Sequence, residues 1–262
     1  MRKRLNDIAY KDCVGKICKS NNCGDFKIID AVNSAKVEVQ FINTGYQTVC
    51  ELGNIRKGHV KDLFAPTVFG VGVLGDKCNV SCLENGKRVR CLEYQLWLGM
   101  LHRCYSEDLH SVHPTYKDCV VSDNFKHYTF FYEWCHRQVG FSKKGFHLDK
   151  DLLVKGNKTY SENTCVFIPQ DVNIALIKSG GIRGKYPIGV SCQKGTNSFV
   201  ARVSLNKRER KYLGSFKTPE EAFYVYKQAK EDNLKFLAEK YKDVIDVRAY
   251  NALMNYQVEI TD

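Results

Sequence analysis

The residues best suited to chemistry lie between His147 and Asn173. His147 and Asp149 stand two residues apart in a segment that alternates as a strand does, so their side chains share one face. An imidazole near a carboxylate suits hydrolysis of a phosphodiester, in which a divalent cation stabilises the leaving oxygen and a base activates water. Lys150 is a poor base, because a free lysine has a pKa of about 10.4 and is protonated at neutral pH, although a nearby metal could depress that pKa.

Positive charge is concentrated in the segment 183–217. It holds nine Lys or Arg side chains and one acid, Glu209, and so carries +8 of the chain's net +11. Such a surplus favours a polyanionic partner, and nucleic acid is the commonest. A smaller basic run with Arg56, Lys57 and Lys61 leaves two interpretations open, a second DNA contact or a purely structural role.

The polar residues around His147 follow one another in a recognisable order. The run Asp149-Lys150-Asp151 is followed by Asn157, Asn163 and Asn173. This order resembles the ββα-metal motif of HNH nucleases. The helical segment 97–105 also resembles a helix that precedes this motif in phage HNH homing endonucleases, so the resemblance covers roughly residues 90–178.

The resemblance implies a metal-dependent, site-selective DNA endonuclease. In that family an Asp on the first strand and an Asn or His on the helix hold the metal, and a His beside the Asp is the base. By position, Asp149 and Asn173 match the metal ligands, with Mg²⁺ or Mn²⁺ as the ion. Asn163 matches a central Asn that orients the His or braces the loop. Lys150 occupies the place of the catalytic His, and His147 is the candidate substitute.

Lys150 therefore leaves two functions open. The first is an active nuclease in which His147 or Lys150 serves the chemistry. The second is a DNA-binding or regulatory protein that keeps the nuclease fold and has lost cleavage. An RNA-binding or structural module is a third class.

Four runs in the last third of the chain carry a second resemblance. They are Gly189-Val190, 199–203, 212–216 and Thr218-Pro219-Glu220-Glu221-Ala222. They resemble the APETALA2/ethylene-response-factor DNA-binding fold over about residues 185–241. The resemblance implies a three-stranded sheet that lies in the major groove with one helix behind it. Motif position and positive charge together give the expected DNA contacts: Ser191, Gln193, Lys194, Arg202, Ser204, Lys207, Arg208, Arg210 and Tyr212.

The resemblance does not predict which bases are read, and the basic sheet also has a simpler explanation. Ser191 and Gln193 stand where the plant domains have arginine, so base preference does not carry over. Alternation in the strand 199–205 points Arg202 and Ser204 outward, which fits DNA contact. A solvated basic sheet face would show the same pattern.

Hydrophobic patterning predicts an α+β chain of three domains. They are a small β-rich domain at 1–75, an HNH-like core with flanking helices at 76–180, and a three-stranded antiparallel sheet packed on one helix at 181–262. The predicted strands are 26–29, 37–41, 147–153, 163–168, 188–192, 199–205 and 210–214. The predicted helices run from Leu92 to near Tyr105, from a cap at Asp123 through an aromatic stripe favoured to be core, from Pro169, and from the capping box at Thr218.

The expected setting is the cytoplasm of a bacterial host. No run is long and apolar enough to cross a membrane, and the N-terminus lacks a secretory pattern. We expect a monomer that binds double-stranded DNA, without a membrane or small-molecule partner. The 12 cysteines lack the paired spacing of a zinc site and are expected to be reduced thiols.

Overall fold

A computed structural model describes residues 11–178, 185–193, 195–205 and 209–262. Helix accounts for 34% of the structure and strand for 27%, which confirms the predicted mixed α and β class. The chain divides into two compact units between Glu133 and Trp134. The three domain boundaries stay predictions.

The first unit begins with a four-stranded antiparallel sheet in which neighbours along the chain are neighbours in the sheet. Its strands are β1 (Ile17–Ser20), β2 (Gly24–Asn33), β3 (Lys36–Phe41) and β4 (Gln47–Cys50). Alternation buries Phe26, Val37 and Val39 on one face while the intervening side chains are exposed or half-buried. Helix α1 (Leu52–Arg56) adds Leu52 to this core. The predicted strands 26–29 and 37–41 are confirmed.

The rest of the first unit is mainly helical. After the hairpin of β5 (Ser81–Glu84) and β6 (Lys87–Arg90) come α2 (Leu92–Tyr105), α3 (Glu107–Val112), β7 (Val120–Val121), α4 (Asp123–Lys126) and α5 (Tyr128–Arg137). Helix α2 has the predicted bounds. It buries Trp97, Met100 and Leu101 completely, and the Trp97 indole N–H donates to the Phe125 carbonyl at 2.7 Å.

The aromatic helix predicted from Asp123 is interrupted, and its cap is a different residue. Ser122 is the cap, since its Oγ accepts from the backbone N–H of Phe125 at 3.3 Å. The helix breaks between Lys126 and Tyr128, where the backbone forms a bridge with Val73. The Val73 N–H donates to the Lys126 carbonyl at 2.9 Å, and the Val73 carbonyl accepts from the Tyr128 N–H at 2.8 Å. The aromatic residues Phe125 and Tyr128 are nevertheless fully buried, as expected.

The second unit contains a strand–strand–helix arrangement followed by a sheet and two helices. Its elements are β8 (Phe146–Asp149), β9 (Thr159–Tyr160), β10 (Val166–Pro169), α6 (Gln170–Leu176), β11 (Val190–Cys192), β12 (Phe199–Ser204), β13 (Arg210–Phe216), α7 (Pro219–Tyr241) and α8 (Val247–Met254). Strands β8 and β10 are antiparallel. Strands β11, β12 and β13 form the predicted three-stranded antiparallel sheet, and β12 is in the centre.

The strands predicted at 147–153, 163–168 and 188–192 are too long; the last begins only at Val190. The strand expected at 147–153 ends at Asp149, because the Asp149 carboxylate accepts backbone N–H groups two and three residues later and turns the chain. The strand expected at 163–168 begins only at Val166. A turn precedes it, in which the N–H of Cys165 donates to the Ser161 carbonyl at 2.9 Å.

Helix α7 contributes to two cores of the second unit. Its first half packs Phe223 and Tyr226 against the three-stranded sheet. Its second half packs Leu234 and Leu237 with β10, α6 and α8. The predicted capping box at Thr218 is confirmed, with proline at the first helical position.

Across the described residues no helix is long and apolar enough to cross a membrane. All 12 cysteines are free thiols. Cys104, Cys119, Cys135 and Cys165 are buried, where a thiol acts as a small apolar side chain.

Candidate functional site

The candidate site lies on the strand–strand–helix arrangement of the second unit. In the pair of β8 and β10, Asp149 is opposite Val166, and His147 is opposite Ile168. Val166 and Ile168 are buried in the core that they share with α6. Residues directly opposite each other in an antiparallel pair have their side chains on the same face. His147 and Asp149 therefore lie on the face of the strand pair against which α6 packs.

Asp149 is half-buried and uses one of its two carboxylate oxygens to hold the turn. Its Oδ1 accepts the backbone N–H groups of Asp151 at 2.9 Å and of Leu152 at 2.7 Å. Its Oδ2 has no hydrogen-bond partner within the part of the chain that the structure describes. Burial, with a smaller effect from the charge of Asp151, raises the pKa of Asp149 above its ordinary value, although the two backbone N–H groups oppose the shift.

His147 and Asn173 are the other two polar side chains assigned to this site. His147 is exposed, Asn173 is half-exposed on α6, and neither side chain hydrogen-bonds to a described residue. Helix α6 is held by Asp171, whose Oδ2 accepts from the Tyr241 hydroxyl at 2.7 Å and from Lys240 Nζ at 3.0 Å. These two bonds, that of Tyr241 first, lower the pKa of Asp171. The His147 imidazole and the Asn173 amide can therefore bind a ligand, and the helix that carries Asn173 is held in place by Asp171.

Lys150 is only 7% exposed and its ammonium group is fully engaged. Nζ donates to Asp151 Oδ1 at 2.5 Å and to the carbonyl of Asn157 at 2.9 Å. It also lies 5.6 Å from the centroid of the Tyr160 ring. An ammonium group engaged by a carboxylate, a carbonyl and an aromatic face suits a structural role better than that of a base.

The loop between the strands is braced by Asn157. Its Nδ2 donates to the carbonyls of Lys150 and Thr159, both at 2.7 Å, and its Oδ1 accepts the Thr159 N–H at 3.0 Å. Asn163, which by motif position was expected to orient the base or brace the loop, is exposed and makes no hydrogen bond with a described residue. The signal for Asn157 was its place in a polar turn, where Asn bonds its own backbone two residues on.

The donor set fits a weakly held Mg²⁺ or Mn²⁺ rather than a preformed metal centre. Among the described residues no three His, Cys, Asp or Glu side chains are grouped to hold a metal ion. The remaining donors are the second oxygen of Asp149, the imidazole of His147 and the amide oxygen of Asn173. Mg²⁺ is commonly bound by one or two carboxylates together with water and substrate phosphates. The set is therefore adequate if DNA completes the coordination.

A second polar surface lies on the side of the C-terminal sheet that faces away from α7. Ala201 and Val203 of β12 are buried against α7, so Arg202, between them, points to the other side. The register places Ser191 opposite Val200, Tyr212 opposite Arg202 and Arg210 opposite Ser204. We call this surface the outer sheet face: Ser191, Gln193, Arg202, Ser204, Arg210 and Tyr212.

The outer sheet face is basic, and its groups are accessible. It contains two arginines and no acid. Arg202 is exposed, and its Nη1 donates to Ser191 Oγ at 3.4 Å, which leaves most of its five N–H donors available. Tyr212 is 57% exposed. Three further expected DNA contacts, Lys194, Lys207 and Arg208, lie outside the described residues.

A glycine sets how closely β11 approaches α7. Gly189 has φ +78°, and a Cβ at this position would lie 2.0 Å from the Tyr226 ring. Only glycine fits such a contact, since a bonded carbon would overlap the ring. The N–H of Arg202 then donates to the Gly189 carbonyl at 2.9 Å, which fixes the backbone beneath the outer sheet face.

No family model, curated protein or solved structure matches this chain. The HNH and APETALA2 resemblances therefore stay predictions.

Proposed function

We propose that this protein is a metal-dependent, site-selective endonuclease of double-stranded DNA. One observation carries the proposal: a single compact unit combines the strand–strand–helix arrangement, which contains His147, Asp149 and Asn173, with the outer sheet face, which is basic and free of acids. The first has the groups for phosphodiester hydrolysis, and the second has the charge to hold DNA.

The outer sheet face binds the duplex in this proposal. Lysine and arginine side chains neutralise phosphates and release counterions, so affinity should fall steeply as salt rises. Arg202 has the strongest claim to a base contact, because it is central, exposed and steadied by Ser191. Arg202→Ala should weaken binding by about 1–3 kcal/mol if the guanidinium reads a base. Loss of affinity without any change in sequence preference would assign Arg202 to phosphate instead.

The strand–strand–helix face carries out cleavage in this proposal. Asp149 and Asn173 would hold the divalent cation, which when bound stabilises the charge on the leaving oxygen. His147, exposed on the face of Asp149, accepts a proton from the attacking water. Lys150 and Asn157 position these groups by holding the turn after Asp149.

Cleavage of long natural duplex DNA by the full chain, with Mg²⁺ or Mn²⁺, tests the proposal. Asp149→Asn keeps an oxygen for the two backbone N–H groups but removes the negative charge. We expect it to lose cleavage and to keep DNA affinity, since affinity comes from the outer sheet face. Asp151→Asn is the matched control, because it removes the adjacent carboxylate, whose partner is Lys150. If both variants cut equally well, Asp149 holds no cation.

His147→Ala tests the base. A rate loss of about 10²–10⁴-fold at unchanged affinity is expected for a general base. Lys150→His restores the residue type of the family, but it removes the hydrogen bonds to Asp151 and Asn157. We therefore expect this change to lower both stability and cleavage. A gain of cleavage would instead mark Lys150 as the residue that has inactivated the site.

The second candidate is a DNA-binding protein without cleavage. It is favoured by the single free carboxylate at the site and by the engaged ammonium of Lys150. This candidate predicts salt-sensitive DNA binding that does not depend on Asp149, and uncut DNA with every metal tried.

A further inference from the structure

The first unit has a basic cleft between β1 and the end of α1. Its volume is about 460 Å³. Four of its lining residues are cations, Lys16, Lys19, Arg56 and Lys57, and none of its described lining residues is an acid. All four are exposed, and none makes an ion pair with a described residue. We call this feature the N-terminal cleft.

The cations of the N-terminal cleft come from two separate elements of the first unit. Lys16 and Lys19 belong to the edge of the sheet at β1, and Arg56 and Lys57 end the helix α1. Like charges around one cleft repel each other, and this repulsion is relieved when an anion binds between them. Several cations drawn from two elements suit a polyanion, which can contact more than one of them at once.

Hydrogen bonds hold the end of β1 against the segment that follows α1. Asn21 Nδ2 donates to the Lys57 carbonyl at 3.1 Å, and the Asn21 N–H donates to the Gly58 carbonyl at 3.0 Å. Ser20 Oγ donates to the Val60 carbonyl at 2.7 Å. Gly58 has φ +68°, and a Cβ there would lie 2.4 Å from Asn21 Oδ1, so only glycine permits this closeness. The N-terminal cleft is therefore preorganised.

The remaining described lining residues add no carboxylate to the N-terminal cleft. The lining includes the thiols of Cys13 and Cys18 and the apolar side chains of Ile28 and Leu52. Burial, and then the nearby Cys13, raise the pKa of Cys18. The thiol consequently stays neutral and does not offset the four cations.

We propose that the N-terminal cleft is a second DNA-binding site, which grips the phosphate backbone of the duplex that the outer sheet face binds. The proposal rests on the proposed function for its ligand. The basic residues between 56 and 61 then have different roles. Arg56 and Lys57 contact phosphate, whereas Lys61 lines a different pocket beside Asp62. The contact is to phosphate, so it adds affinity and length of footprint without reading sequence.

The test measures duplex DNA affinity of the full chain over a range of salt concentrations. The cleft variant replaces Lys16, Lys19, Arg56 and Lys57 with Gln. The matched control replaces four other exposed lysines of the first unit with Gln: Lys36, Lys77, Lys87 and Lys117. Each lost phosphate contact should reduce the slope of log affinity against log salt by about 0.9. We expect a reduction of about 2–4 for the cleft variant, a loss of affinity of about tenfold or more, and a shorter footprint.

The outcomes separate this proposal from the proposed function. The double variants Lys16→Gln/Lys19→Gln and Arg56→Gln/Lys57→Gln should each give about half the effect, and unfolding temperatures confirm that all variants are folded. If the cleft variant and the control bind alike while Arg202→Ala weakens binding, the second site is refuted and the proposed function stands. If the wild type has no affinity for duplex DNA at low salt, both fail.

Discussion

Replacing Asn157 with alanine tests whether this residue holds the turn beneath the candidate site. The change removes three hydrogen bonds, two from Nδ2 to the carbonyls of Lys150 and Thr159 and one from the Thr159 N–H to Oδ1. A typical intramolecular hydrogen bond contributes about 0.5–1.5 kcal/mol, so three contribute about 2–4 kcal/mol. The backbone carbonyl of residue 157, one of the two acceptors of the Lys150 ammonium, remains but is held less firmly.

Calorimetry and hydrogen exchange give complementary measurements of this effect. For a unit of this size, a loss of about 2–4 kcal/mol should lower the unfolding temperature by roughly 10 °C. Amides of the segment 150–160 should also exchange faster than those of the first unit, because the opening is local. Cleavage measured well below the unfolding temperature should fall, since the turn positions Asp149.

Asn163→Ala is the matched control in the same loop. Asn163 is exposed and has no hydrogen bond with any described residue, so its replacement should change stability by less than about 0.5 kcal/mol. The reasoning is refuted if the two variants are equally stable, or if Asn163→Ala is the more damaging. Either result would indicate that Asn163, as the HNH resemblance implied, braces the loop.

Three further predictions concern the C-terminal domain. Gly189→Ala should destabilise the second unit by about 1–3 kcal/mol more than Gly195→Ala, because both have φ +78° but only the first meets the Tyr226 ring; urea unfolding measures the difference. Burial lowers the pKa of Lys230 to about 8, below its unfolded value. Between about pH 8 and 10.4 the unfolded chain therefore binds more protons than the folded one, and the free energy of unfolding should rise with pH. Lys230→Met should abolish this rise. Thr218→Ala removes a capping box and should lower the free energy of unfolding by about 1 kcal/mol in urea, unless the cap contributes nothing.

Local patterns determined the parts of the fold that the sequence could predict. The bounds of α2 follow from apolar spacing, and the start of α7 follows from Thr218 and Glu221, which are three residues apart. The shared face of His147 and Asp149 follows from strand alternation. Each of these requires only neighbours along the chain.

Contacts between distant residues determined what the sequence could not predict. The aromatic helix breaks after Lys126 because Val73, far away in sequence, pairs with the chain there. The N-terminal cleft needs β1 to lie against the end of α1, which no basic run can indicate. Asn157 and Asn163 both occur in a polar loop, so only the folded turn decides which amide braces it.

The three consecutive charges at positions 149–151 act together in the turn that follows β8. Lys150 lies against Asp151, and this pair also closes the turn through the Asn157 carbonyl. Asp149 keeps one oxygen without a partner among the described residues, on the face of His147, so its charge remains available to a cation. A neutral histidine at position 150 would leave Asp151 without its cation and so add a second uncompensated carboxylate beside Asp149. We infer that the lysine stabilises the turn, which leaves His147 as the base only within the proposed function.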